Sequence, residues 1–468
     1  MMMALVDCRG VPVSTNDVRL VELYEQALDL SAGYYMDSVT VLQRALDEDP
    51  EFAAAHCLRA GLMLTSTDKR ALPMLRESVE AIEALGRRAN ERERAHAAAA
   101  RAWLQGDFAG SVRRYGDILI DYPRDLLALQ ITHLGDFFLG ASSMLRDRIA
   151  QVIPMWDPSV PGYNYVLGMY AFGLEENGAY ARAEDTGRRA LELNPRDPWA
   201  VHAVAHVMEM QGRVREGINW LTSRQRDWAP NNGFAFHNWW HLALYHWDLG
   251  DIPQVLSLYD TQIRPTDSQA PLEMIDASAL LWRLHIRGVD VGDRWRALAW
   301  SWEDSAEDGY YAFNDVHAMM SFAAADRGEL VSKTFATMEA CAQGHDTNAM
   351  MTREIGLPAA RAIHAFVEGR YGEAVEQLLP IRTIANRFGG SNAQRDLLHL
   401  TLVEAAVRGG KLKLARALVA ERTLLKASSQ FNQQLRARVY DSLGDVTGGA
   451  LNSNAAKSHL RAQGARRI

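Results

Sequence analysis

Two histidine pairs carry the chemistry this sequence offers most openly. VHAVAHVMEM places His202 and His206 four residues apart with Glu209 three further on, and HNWWHLALY places His237 and His241 at the same four-residue spacing. Residues so spaced share one face of a helix, so each pair sets two imidazoles side by side. A neutral imidazole ligates a divalent metal through its bare ring nitrogen, and two facing pairs could give zinc or iron four nitrogen donors. The residues between the histidines, Ala-Val-Ala and Asn-Trp-Trp, exclude the HExxH pattern of the zincins. His317, in FNDVHAMMSF, is a fifth candidate ligand.

Carboxylates accompany these histidines. Glu209, one turn beyond His206, is placed either as a ligand or as the base that takes a proton from an activated water. Asp276 lies on the apolar segment EMIDASALLWRLH and needs a partner there, either Arg283 or a metal; it is the alternative base. His133, Trp240, Asn314, Asp315 and Arg395 are candidates for touching a substrate. Asn314 and Asp315 also read as a helix cap, and Ser391 with Gln394 as a capping box just ahead of Arg395. Asp248 falls on the stripe of His237 and His241, whereas His246 points elsewhere. Glu175 and Glu176 read as a solvated helix end.

The elements that must hold these residues follow from a repeat. Gly178, Ala183 and a closing Pro195 are followed 34 residues after Gly178 by Gly212, then by Gly217 and Pro230. Gly106 and Gly140 stand at the same interval, with Pro123 between them, and looser copies follow at Gly250 and Gly369. A glycine turn, a small residue where two helices touch and a proline that ends the second helix define a helix-pair unit, and this period is that of tetratricopeptide (TPR) repeats. The expected fold is all-α, a TPR-like superhelix of antiparallel helix pairs, with residues 1–450 as one continuous domain and 451–468 as a frayed tail. His133, His202, His206, His237, His241 and His317 each precede a turn glycine. They therefore belong to first helices, which line the concave side of such an array. No β-hairpin is expected.

Composition narrows the function. Of 468 residues 48% are hydrophobic and 23% charged, an ordinary globular balance, with a net charge of −8 and no basic block that would suit nucleic acid. Cys8, Cys57 and Cys341 are far apart with no CxxC, which fits a reducing compartment. No apolar run approaches membrane-spanning length, so a cytoplasmic protein with no membrane or nucleic-acid partner is expected. No P-loop, dinucleotide fingerprint or nucleophile elbow is present.

From about Asp125 to Arg416 the chain resembles the tetratricopeptide repeat protein 38 family. The resemblance rests on HLGDFFLG, VHAVAHVMEM, HNWWHLALY, YDTQIRP, FNDVHAMM, IGLP, LLPIR and GGSNAQRD. It implies a helical repeat fold and marks His133, His202, His206, Glu209, His237, His241, Asp276, Asn314, Asp315 and His317, but no established activity. Two functions compete on the sequence. One is a metal-dependent hydrolase of a small amide or ester, iron and oxygen chemistry being an alternative use of the same donors. The other is a non-catalytic scaffold that clamps a peptide or partner protein in its groove.

Overall fold

The computed structural model describes residues 5–444, so the expected tail at 451–468 lies outside the described residues. The chain is a TPR-like superhelix. Antiparallel helix pairs run from Val18–Ala32 with Asp37–Glu48 through Asn392–Arg408 with Leu412–Leu425, and Gln430–Ser442 closes the series. One difference from expectation sits at the start. Leu5–Val6 and Pro12–Val13 form a short antiparallel hairpin. Its turn is held by the Asp7 carboxylate, which accepts from the Arg9 and Val11 amides, local side-chain pairing that no hydrophobic alternation announces.

The punctuation works as its chemistry requires. Gly106, Gly140, Gly178, Gly212, Gly250 and Gly369 all adopt positive φ between the two helices of a pair. The helices Asp37–Glu48, Phe108–Asp121 and Tyr180–Leu193 stop just before Pro50, Pro123 and Pro195. At Gly217 a Cβ would collide with the Tyr245 ring, whose hydroxyl donates to the Ala205 carbonyl at 2.6 Å. The small residue is thus what lets two successive pairs nest.

First and second helices differ sharply in burial. In Pro198–Met210 every side chain from Pro198 to Met208 is buried, whereas Tyr180–Leu193 buries only Ala183, Gly187, Ala190 and Leu191. A helix covered all round lies in the interior, and one with a single buried stripe faces water. The reason is that the superhelix meets itself. Asn392 donates its amide to Glu176 at 2.9 Å, Tyr311 its hydroxyl to the Phe138 carbonyl at 2.9 Å, and Trp282 its indole N–H to Thr401 at 2.9 Å. Gly140 has no room for a side chain, because the Asn386 carbonyl packs against its Cα. The concave wall near the histidines is therefore core rather than an open groove, and one hydrophobic cluster runs from Val13 to Val439. Among the described residues no helix is long and apolar enough to cross a membrane.

Candidate metal centre

Two neighbouring first helices, Pro198–Met210 and Ala235–Leu249, bring the four histidines together. One ring nitrogen from each of His202, His206, His237 and His241 lies within 4.8 Å of the others, all four residues being buried. Ring centroids stand 4.4 Å apart for His202 and His206, and 4.4 Å for His206 and His241. Phe172, Trp199, Phe234 and Trp240 pack against these rings, so the centre sits in a dry aromatic shell.

The hydrogen bonds fix how two of the rings are turned. His237 Nδ1 is 2.6 Å from Asp276 Oδ2, and His241 Nδ1 is 2.9 Å from Glu209 Oε2. A carboxylate only accepts, so both Nδ1 atoms carry the proton and both Nε2 atoms of neutral rings are bare lone pairs. Those two Nε2 atoms face each other at 3.3 Å. Two lone pairs so placed repel unless something positive lies beside both. Tetrahedral zinc with Zn–N bonds of about 2.0–2.1 Å separates its nitrogens by about 3.3–3.4 Å, which is this spacing. The arrangement carboxylate–histidine–nitrogen pair is how proteins orient ligating imidazoles.

The remaining donors lack partners. Both ring nitrogens of His202 and of His206, and both carboxylate oxygens of Glu175, are buried without a hydrogen bond. Native interiors pair nearly all such atoms, so this concentration suits a cation. Burial favours the neutral form of three of the imidazoles: it lowers His206 to about 4 and His241 to about 3, and takes His202 well below the usual histidine range. Burial, followed by the charge of Glu209, pushes Glu175 up to about 8.

The other sequence candidates divide. Asp276 joins the centre, but its partner is His237 rather than Arg283, which donates instead to the Ala279 and Ala393 carbonyls. Glu209 joins it with both oxygens engaged, Oε2 by His241 and Oε1 by Lys426 at 3.3 Å. Burial alone would raise its carboxyl, but Lys426 and His241 outweigh that and hold it well below the usual carboxylate range. Glu209 thus orients His241, with one contact made by each of its oxygens. Trp240 stacks on His237 with centroids 5.3 Å apart. His133, also without ring partners, abuts Phe172 and Trp199, which wall the centre.

His317, Asn314 and Asp315 do not enter the four-histidine group. His317 donates Nδ1 to the Phe313 carbonyl at 2.7 Å, and Asn314 donates to the Thr67 carbonyl at 2.9 Å. Burial raises Asp315 to about 8. Neither Asn314 nor Asp315 caps its helix, because Ala312–Ala324 begins before them and its first amide is taken by Asn348. The capping box of Ser391 and Gln394 is present, and Arg395 reaches Glu176 at 3.5 Å. Asp248 accepts from Ser429 and faces away from the histidines.

The clearest correction concerns Glu175 and Glu176. They are not a solvated end: they are 0% and 6% exposed, and His206 Nδ1 lies 3.3 Å from Glu175 Oε2. A signal was available, since Glu175 stands three residues before Gly178 as Glu209 stands three before Gly212. Lys426 could not have been found, being 217 residues from the Glu209 it contacts.

No family model matches the chain. Among solved structures it is similar to a human IFIT1 dimer with PPP-AAAA, at 13% identity over 95% of each chain with a TM-score of 0.41. It is also similar to yeast Tom70, at 13% identity over 96% of this chain and 92% of that one, with a TM-score of 0.31. These likenesses do not bear on the site. What the chain's own fold and geometry define is a TPR-like repeat protein with a buried cluster of four histidines.

Proposed function

We propose that this protein is a metal-dependent hydrolase of a small amide or ester, its ion held by the histidine cluster, and that it is a member of the tetratricopeptide repeat protein 38 family. The observation that carries the metal reading is the pair of bare Nε2 atoms of His237 and His241, 3.3 Å apart with both Nδ1 atoms committed to carboxylates. Nitrogen donors backed by carboxylates suit zinc or iron(II). A divalent cation in such a setting supplies Lewis acidity and lowers the pKa of water.

The chain's own residues supply the rest. Asp276 and Glu209 hold the two oriented rings, and Lys426 keeps Glu209 ionised and turned toward His241. Glu209, kept ionised beside His241, is the candidate to take a proton, with Asp276 against His237 as the alternative. Trp240, Phe234 and Trp199 pack on the histidine rings and exclude bulk water. Beyond Glu209 a cleft lined by Arg283, Asp396, Arg422 and Lys426 offers polar contacts for one. A scaffold without catalysis is the competing reading, supported by the repeat fold itself. Protein stripped with a chelator and reloaded with zinc or iron(II) should hydrolyse members of a panel of small amides and esters, and His241→Ala should lose that turnover. A reloaded protein inactive across the panel returns the scaffold to first place.

A further inference from the structure

We infer that the centre has a second cation subsite, formed by Glu175, Glu176 and Nδ1 of His206, which makes it binuclear; this rests on the metal reading above. The three residues come from two first helices. Glu175 and Glu176 end Tyr163–Glu176, and His206 lies on Pro198–Met210. One ligand atom from each lies within 4.8 Å of the others, and all three residues are buried.

Two buried carboxyl groups from adjacent residues converge here on one imidazole. Glu176 is partly compensated, because it accepts from the Asn392 amide at 2.9 Å and lies 3.5 Å from Arg395. Glu175 has nothing. Both of its oxygens and both nitrogens of His206 are buried without a hydrogen bond, although His206 Nδ1 and Glu175 Oε2 are only 3.3 Å apart. A carboxylate oxygen from each of Glu175 and Glu176 beside the His206 nitrogen is a donor set that a second, harder cation takes, manganese(II) or iron(II) before zinc.

His206 belongs to both groups, so the two subsites touch. With both subsites filled, His202, His237 and His241 would hold the first ion. His206 turns Nδ1 to the second. The two subsites then differ in character, one all nitrogen and one mainly carboxylate, as suits two ions that grip opposite sides of one reacting group. Arg395 and Lys426, donated from the later turn of the superhelix, neutralise the outer oxygens of Glu176 and Glu209 and hold both carboxylates in place.

The test is metal stoichiometry on the full-length protein, loaded anaerobically with iron(II), which suits both donor sets, desalted and counted by mass spectrometry of the elements. Electron paramagnetic resonance is read on the same samples. Wild type should hold two ions per chain with the exchange-coupled signal of a close pair. Glu175→Gln, which keeps the shape of the side chain, should hold one ion with the signal of an isolated ion. Circular dichroism and the melting temperature show that the variant is folded, and Glu176→Gln provides a second variant. One ion per chain in wild type, or two that Glu175→Gln leaves unchanged, overturns the second subsite and leaves the histidine centre standing. No bound ion in wild type overturns both.

Discussion

Asp276→Asn and Glu209→Gln are each expected to weaken metal binding by about 10–100-fold, and His241→Ala to abolish binding at stoichiometric metal. The reasoning starts from the 2.6 Å and 2.9 Å contacts that these carboxylates make with His237 and His241. Each contact decides which nitrogen is protonated and hence which one is bare. An amide can still accept the Nδ1 proton through its oxygen, so the ring keeps its orientation, but it no longer adds negative charge behind the ligand. The loss is therefore graded in the carboxylate variants and complete in the histidine variant. Competition against a chromogenic chelator measures all three. If Asp276→Asn and Glu209→Gln bind metal as tightly as wild type, the carboxylates serve packing alone.

The largest effect on stability is expected at Asp125. Asp125→Ala should cost about 3–5 kcal/mol, the usual consequence of leaving a buried charge without its partner. Asp125 Oδ2 lies 2.9 Å from Arg92 and 2.8 Å from His96, with all three side chains about 1% exposed. Its other oxygen caps the Leu126–Phe138 helix by accepting from the Ala128 amide. Two nitrogens of Arg92 already lack partners, so the guanidinium has no second carboxylate to turn to. Burial alone would raise the Asp125 carboxyl, but Arg92 and His96 outweigh it and hold it far below the usual carboxylate range. A depressed carboxyl contributes stability above its unfolded pKa of about 3.9 and loses it only as pH falls toward the folded value. The midpoint of chemical denaturation should accordingly drop in Asp125→Ala at neutral pH. The gap from wild type should narrow as pH falls below about 4. An equal gap at both pH values would place the effect in the cap and not in the charge.

How much of this was legible in the sequence depends on the range of the interaction. The helix pairs were legible because Gly178, Gly212, Pro195 and Pro230 act locally on the backbone they belong to. The two histidine pairs were legible because a four-residue spacing has one meaning in a helix. That both pairs meet at one point followed from their places on successive first helices, where the repeat itself supplies the geometry. Glu175 was misread because an acidic pair before a turn glycine looks like a solvated end. Its burial comes from Asn392 and Arg395, which arrive from a later turn of the superhelix. His317 stands with the ligands by its own helix, but its ring lies outside the four-histidine group. Asp276 was correctly seen to need a partner, and the partner proved to be His237 because Arg283 turns to the Ala279 and Ala393 carbonyls instead. Interior closure of the superhelix, which decides what is groove and what is core, has no local signature at all.

The central claim is that the four histidines hold a metal ion, and diffraction from crystals grown with zinc, recorded across the zinc absorption edge, tests it most directly. The account predicts an anomalous peak about 2.0–2.2 Å from Nε2 of both His237 and His241, with Asp276 and Glu209 still on the opposite nitrogens. Crystals grown in excess zinc that show no peak between those rings, with the two Nε2 atoms still facing each other, would contradict it. A proton shared by the rings would then be what holds them together.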